Sequence, residues 1–204
     1  MSRETIEFDE LNHIYRVNGR QYPSVTQILK GVGLGQDYSM VNPEVLNWKR
    51  NLGNQVHRAI ELDILNDLAD YDPIIEPYLN AWKDLCFNMK LHPIAPEQAV
   101  FSAKYRYCGK FDLLAEYDGG KLGLFDYKNS AMVELVTVGA QLAGYEIAYR
   151  EWDNVNESQK IERFAIKFYP DGKMRLLHLD SLTDKNTFLW AVSLYHRKEA
   201  MKYV

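Results

Sequence analysis

The chain reads as one α/β domain. Three observations predict it. First, at 204 residues and 23.8 kDa folding takes the accessible surface from roughly 34,500 to roughly 9,900 Å², enough burial for one sizeable core. Second, 47% hydrophobic and 25% charged residues fit a globular protein and exclude disordered, collagenous and coiled-coil classes. Third, the hydrophobic period changes from helical to two at Glu97, and the element order is helix, three strands, helix, strand.

The opening reads as a β-meander. Ile6 to Phe8 and Ile14 to Val17 are β-prone, and Asn18-Gly19 signals a tight turn before Arg20 to Tyr22. Pro23-Ser24-Val25-Thr26-Gln27-Ile28-Leu29 reads as a capped helical start that stops at Gly31. Gly31, Gly33 and Gly35 follow a helix with no Gly-Lys-Ser/Thr after them, so they form a hinge loop and not a P-loop. Asn42-Pro43 supplies an N-cap and a proline at the first helical position for a helix to about Asp67. Tyr78, Trp82, Leu85 and Met89 mark the core face of a second helix, about Pro73 to Lys90. Strands follow over Glu97–Ala103, Lys110–Tyr117 and Lys121–Tyr127, the last two joined by Asp118-Gly119-Gly120. A helix over Leu135–Trp152, a strand over Ile161–Phe168, a Tyr169-Pro170-Asp171-Gly172 turn, a strand over Met174–Leu179 and a helix from Thr183 complete the chain. There is no repeat and no low-complexity linker, so residues 1–204 are read as a single domain.

The acidic opening and the lack of an apolar run near the roughly 20 residues of a membrane span predict a soluble, cytoplasmic protein with no membrane partner. Cys86 and Cys108 are too few for a disulfide framework or an iron–sulfur site and read as reduced. The formal net charge of −4 argues against coating nucleic acid by bulk attraction. Charge is segregated, however: Glu61 to Glu76 holds six acids and no base, and Lys104, Arg106 and Lys110 lie in a stretch without an acid. Local basic segments suit a protein that grips a polyanion at one face, although solvated surface explains such runs equally.

The chemistry comes from register. If Asp118-Gly119-Gly120 is the whole hairpin loop, Tyr117 faces Lys121 and Asp112 faces Asp126; a two- or four-residue loop shifts the pairing. Facing carboxylates destabilise by roughly 0.2–1 kcal/mol, so a divalent cation is the natural reason for them, and Asp112→Asn is expected to relieve a repulsion in the metal-free protein. Lys128 lies two residues after Asp126 on the same face, beside the ion and an attacking water. Asp-x-Lys occurs twice, at Asp126 and Asp171, against about one expected by chance; Asp171 is explained by its Pro-Asp-Gly turn.

Gly109-Lys110-Phe111-Asp112, Asp126-Tyr127-Lys128 and Gln141-Leu142-Ala143-Gly144-Tyr145 resemble the G-x-x-D, D/E-x-K and Q-x-x-x-Y motifs of the RecB-type branch of the PD-(D/E)XK nuclease superfamily. Gly53 to His57 resembles its G-x-x-x-H helix motif, with Asn54 where Thr is common. Tyr22 to Leu29 is similar to the N-terminal stretch of phage-encoded and mitochondrial genome maintenance exonucleases of this type. The resemblance covers roughly residues 13 to 169. It implies a restriction-endonuclease-like core in αβββαβ order, a central mixed β-sheet flanked by helices, with Mg²⁺ or Mn²⁺ held by His57, Asp112, Asp126 and the Tyr127 carbonyl. It makes Lys128 the residue that orients water and offsets phosphate charge, and Gln141 and Tyr145 the residues that position substrate or Lys128. Glu97 resembles the acidic position that precedes G-x-x-D, an exposed strand-end glutamate being the plain alternative; with Lys104, Arg106 and Lys110 it forms the expected substrate-binding set. The cysteines of cluster-bearing relatives are absent, so no iron–sulfur cluster is expected. The implied function is a metal-dependent deoxyribonuclease, an exonuclease on linear duplex or single-stranded DNA in recombination and repair, bacterial or phage-encoded. Alternatives are a structure-specific endonuclease, a non-catalytic nucleic-acid-binding protein on the same fold, or a nuclease subunit that works with a helicase or single-strand annealing partner.

Overall fold

The structure is a computed structural model that describes residues 4–35, 38–129 and 134–202. Strands β1 (Ile6–Asp9), β2 (Ile14–Val17) and β3 (Arg20–Tyr22) form a small antiparallel sheet. Its second turn places Asn18 and Gly19 at φ of 51° and 76°, the left-handed pair that a two-residue hairpin requires. Helix α1 (Val25–Gly31) starts in a capping box, with the Ser24 Oγ accepting from Gln27 N and the Gln27 Oε1 accepting from Ser24 N. Helix α2 (Pro43–Ile64) is capped by Asn42 Oδ1, which accepts from Glu44 N at 2.8 Å. A 3-10 turn (Pro73–Ile75) leads into α3 (Glu76–Met89), which ends at Lys90 in the left-handed conformation.

The main sheet holds β4 (His92–Ser102), β5 (Tyr107–Tyr117), β6 (Lys121–Lys128), β7 (Ile161–Phe168) and β8 (Met174–His178), in that spatial order. All neighbours are antiparallel except β6 and β7, which are parallel and joined by α4 (Leu135–Trp152) as the crossover such a pair needs. Helix α5 (Leu182–Met201) closes the chain. The mixed sheet with helices on both faces is the α/β core expected.

Strand β4 begins five residues before the predicted start at Glu97. Pro93 and Pro96 argue against a central strand, but β4 is an edge of the sheet, where a missing N–H costs nothing. The ladder slips between Pro93 and Ala95, a bulge that resets the register for the rest of the strand.

Helix α4 is apolar on most sides because both sides are covered. It contacts β4, β5 and β7 on one side and α1 and α5 on the other. A Cβ at Gly144 would stand 2.7 Å from the Phe188 ring, so glycine sets the α4–α5 approach. On the opposite face, α2 and α3 cover Leu113, Ala115, Phe125, Phe164 and Ile166. Arg163 is buried on β7 with its guanidinium 3.3 Å from Glu146 of α4 and 3.6 Å from Asp184 of α5, which ties the two helices to the sheet. Burial pushes the Cys86 and Cys108 thiols up to about 12, so both stay protonated. Among the described residues no helix is long and apolar enough to cross a membrane.

Candidate metal and active site

The hairpin register runs from Tyr117↔Lys121 to Leu113↔Phe125, as the three-residue loop predicts. One step further stand Asp112 and Asp126, where the backbone ladder ends; the Tyr127 N–H donates to the Asp112 Oδ2 at 2.5 Å instead. On the other flank Pro96↔Leu113 and Gln98↔Phe111 bracket Glu97 opposite Asp112. Three neighbouring strands therefore bring Glu97, Asp112 and Asp126 into one row.

The alternation of β5 slips at the same place. Gly109 and Phe111 meet Tyr145 and Tyr149 of α4, whereas Leu113 and Ala115 belong to the core under α2 and α3, and Leu114 returns to the α4 side. Glu97 lies opposite this slip with φ of 48°. A glutamate in the left-handed region costs about 1–2 kcal/mol, and the surrounding strands hold it there.

His57, on α2, completes the cluster. Its Nδ1 lies 3.5 Å from Asp112 Oδ1 and 3.6 Å from Glu97 Oε1. One donor atom from each of His57, Glu97 and Asp112 falls within 4.8 Å of the others. Lys110 Nζ pairs with Glu97 Oε2 at 2.7 Å. Asp126 is buried, and its Oδ2 lies 2.7 Å from Lys128 Nζ. Lys128 also donates to Gln141 Oε1 at 3.1 Å, and Gln141 Nε2 donates to the Tyr145 hydroxyl at 2.9 Å, so the one-turn spacing of Gln141 and Tyr145 aligns a relay to Lys128.

Charge in the row is divided unequally. Burial raises Asp126 to about 6, with Asp112 adding to the rise and Lys128 opposing it. Burial works against ionised Asp112 too, but the His57 charge and hydrogen bond, Lys128 and the Tyr127 N–H outweigh it and hold Asp112 below the usual carboxylate range. Burial disfavours the His57 cation, yet Asp112 and Glu97 raise it to about 10. Lys128 is likewise disfavoured by burial and held protonated by Asp126 and Asp112. The repulsion between the two aspartates still shows at Asp126, but at Asp112 it is outweighed by His57, Lys128 and the Tyr127 N–H, so Asp112→Asn is now expected to remove favourable contacts.

Glu97, Lys110, Asp112, His57 and Tyr145, with His13 and Thr26, line a cleft of about 730 Å³, whereas Asp126 and Lys128 are not among its lining residues. Gly109 is required here, since a Cβ would stand 2.8 Å from the Tyr145 ring and 3.2 Å from Val25. Gly53 is not, its nearest neighbour being Asn129 Nδ2 at 3.9 Å.

Of the predicted substrate-binding set, only Lys110 and Glu97 line this cleft. Glu97 is mid-strand and only 13% exposed, which removes the strand-end reading and puts it with His57 and Asp112. Lys104 and Arg106 sit in the β4–β5 turn; Arg106, just before β5, is six residues from Asp112 along the extended chain, about 20 Å. Lys104 stands over the Tyr105 ring at 5.0 Å. Missed by sequence reading was the alignment of Glu97 with Asp112, a signal readable only once the Pro93 bulge fixes the β4 register.

No family model matches the sequence, and no curated protein matches it. Among solved structures the chain is similar to the crystal structure of SSO0001, at 14% identity and a TM-score of 0.38 over 73% of this chain and 74% of that one. A likeness of that size is too slight to point to a function.

Proposed function

We propose that the protein is a metal-dependent deoxyribonuclease of the RecB-type PD-(D/E)XK branch, with a restriction-endonuclease-like core, acting as an exonuclease on linear duplex or single-stranded DNA. One observation carries the reading: the row of Glu97, Asp112 and Asp126 beside His57 and Lys128. A divalent cation fits that row, because Glu97 Oε1 is buried without a hydrogen-bond partner among the described residues. Three carboxylates with one imidazole favour Mn²⁺ over the all-oxygen preference of Mg²⁺. His57, Glu97 and Asp112, whose donor atoms lie within 4.8 Å of one another, would hold the ion, with Asp126 and the Tyr127 carbonyl as the further ligands the proposal requires.

Bound there, the ion supplies Lewis-acid polarisation of the phosphodiester and lowers the pKa of water. Lys128, protonated and fixed by Asp126 and Gln141, places a positive charge where negative charge develops on the phosphate. Gln141, held by Tyr145, keeps the ammonium from turning away. Lys110, which pairs with Glu97 and lines the cleft, would offset the carboxylate charge in the metal-free protein and offer a phosphate contact to substrate. A helicase or single-strand annealing partner would present the DNA end.

The test is digestion of end-labelled linear, single-stranded and covalently closed circular DNA with Mg²⁺, Mn²⁺ or EDTA. Linear and single-stranded DNA should be shortened with either ion, fastest with Mn²⁺, while the closed circle survives and EDTA stops the reaction. Linearisation of the circle at a comparable rate would favour the endonuclease; no cleavage with either ion would overturn the reading.

A further inference from the structure

A second groove, of about 780 Å³, opens between β3, α1, the β4–β5 turn and α5. Arg20, Lys30 and Arg106 line it, all exposed, and among the described residues none of the three is ion-paired with a carboxylate. Glu199, which also lines it, is held by Lys202 at 2.6 Å. Three cations around one concavity repel each other, and on a chain of net charge −4 the concentration is offset only by the Tyr22 ring under Arg20, 5.5 Å from its guanidinium, among the described contacts of the three. Arg106 adds a second sign: its φ is 59°, a backbone state favoured by glycine or asparagine and unfavourable for arginine, so its own turn does not explain the side chain. Tyr22 and Tyr195 stand at the wall, and aromatic rings beside cations are the surface on which unpaired bases stack.

The groove adjoins the acidic cleft. Tyr22, Pro23 and Gln27 face it, while Ser24, Val25 and Thr26 between them face the cleft, so one segment is the wall of both. Arg106, in the turn just before β5, and Gly109 on β5 are three residues apart, about 10 Å, roughly three stacked nucleotides at 3.4 Å each. A concavity of small-molecule size takes an unpaired strand and does not enclose a double helix.

We propose that this groove binds the sugar–phosphate backbone of single-stranded nucleic acid, as the continuation of the strand whose scissile phosphate lies in the acidic cleft. The continuation rests on the nuclease reading; the binding does not. Arg20 and Arg106 grip phosphate oxygens through their forked donors, and Lys30 adds a point charge.

The test is fluorescence anisotropy of labelled 20-residue oligothymidylate with metal-free protein in EDTA over a series of salt concentrations. The variants are Arg20→Glu/Arg106→Glu, its milder form Arg20→Gln/Arg106→Gln, and Lys160→Glu, a reversal of an exposed lysine away from the groove. The double reversal should weaken binding at least tenfold and lower the slope of log affinity against log salt by about 1.4, two contacts at about 0.7 each for a single strand. The milder variant should move the same way, and Lys160→Glu should move neither quantity. Unchanged affinity and slope in a double variant that melts like wild type, an equal loss in Lys160→Glu, or no binding by wild type would each overturn the proposal. Because binding is read without metal, a wild type that binds but never cleaves counts against the nuclease reading alone. A wild type that cleaves while the double variant binds normally counts against the groove alone.

Discussion

At the scale of single residues, the candidate site is a charge balance that a metal ion would replace. His57 is raised to about 10 by Asp112 and Glu97 against the opposing effect of burial. A histidine raised on folding stabilises the folded state fully below its unfolded pKa of about 6.5 and loses that contribution as the pH rises through about 10. The metal-free protein should therefore melt progressively lower between those limits, and His57→Gln should flatten the profile. A ligand histidine must also shed its proton, so Mn²⁺ affinity should rise up to tenfold per pH unit over the same range, with about one proton released per ion. Calorimetry in buffers of different ionisation enthalpy checks this; no proton release would remove His57 from the ligand set. Asp112 makes the converse case. It accepts the Tyr127 N–H and faces His57, so Asp112→Asn should lower metal-free stability by about 1.5–3 kcal/mol, the scale of hydrogen bonds to a charged group. A denaturation midpoint at or above wild type would restore the repulsion account drawn from register alone.

Elements decide which of these residues meet. Gly109 on β5 lets the Tyr145 ring of α4 lie against the strand, and an added Cβ would sit 2.8 Å from that ring. Gly109→Ala should cost about 1–3 kcal/mol as an overpacked contact and move Tyr145 away from Gln141; a denaturant midpoint like wild type would show that the ring has room. The hairpin was legible in the sequence because Asp118-Gly119-Gly120 supplies three left-handed positions and a loop of known length fixes every pair behind it. Helix α4 was legible from its length and apolar content. The N-terminal half of β4 was not, since Pro93 and Pro96 read as breakers unless the strand is known to be an edge. Glu97 was singled out by resemblance, but its alignment with Asp112 was hidden for the same reason, its partner across the sheet depending on a bulge that no spacing in the sequence announces. His57 was singled out by resemblance and not by periodicity, because a histidine on a helix carries no sign of which strand ends lie beneath it.

On the scale of the whole molecule, the sheet is held rigid from both sides where the acids project. Helix α4 is clamped between the sheet and α5 through Arg163, Glu146 and Lys185, with Glu146 Oε1 2.8 Å from the Lys185 ammonium, and it carries Gln141 and Tyr145 to Lys128. From the side of α3, α2 carries His57 to Glu97 and Asp112. Two layers thus meet at the end of the β5–β6 ladder, and chemistry there needs both in place. The central claim is that this junction cleaves a phosphodiester with the charge of Lys128. It is tested most directly by the single-turnover rate of Mn²⁺-dependent degradation of end-labelled single-stranded DNA by wild type and by Lys128→Ala. Removing that charge from the reacting centre should lower the rate by about 10²–10³, while the Mn²⁺-bound variant keeps a cooperative melt. A wild-type rate in Lys128→Ala would contradict the account.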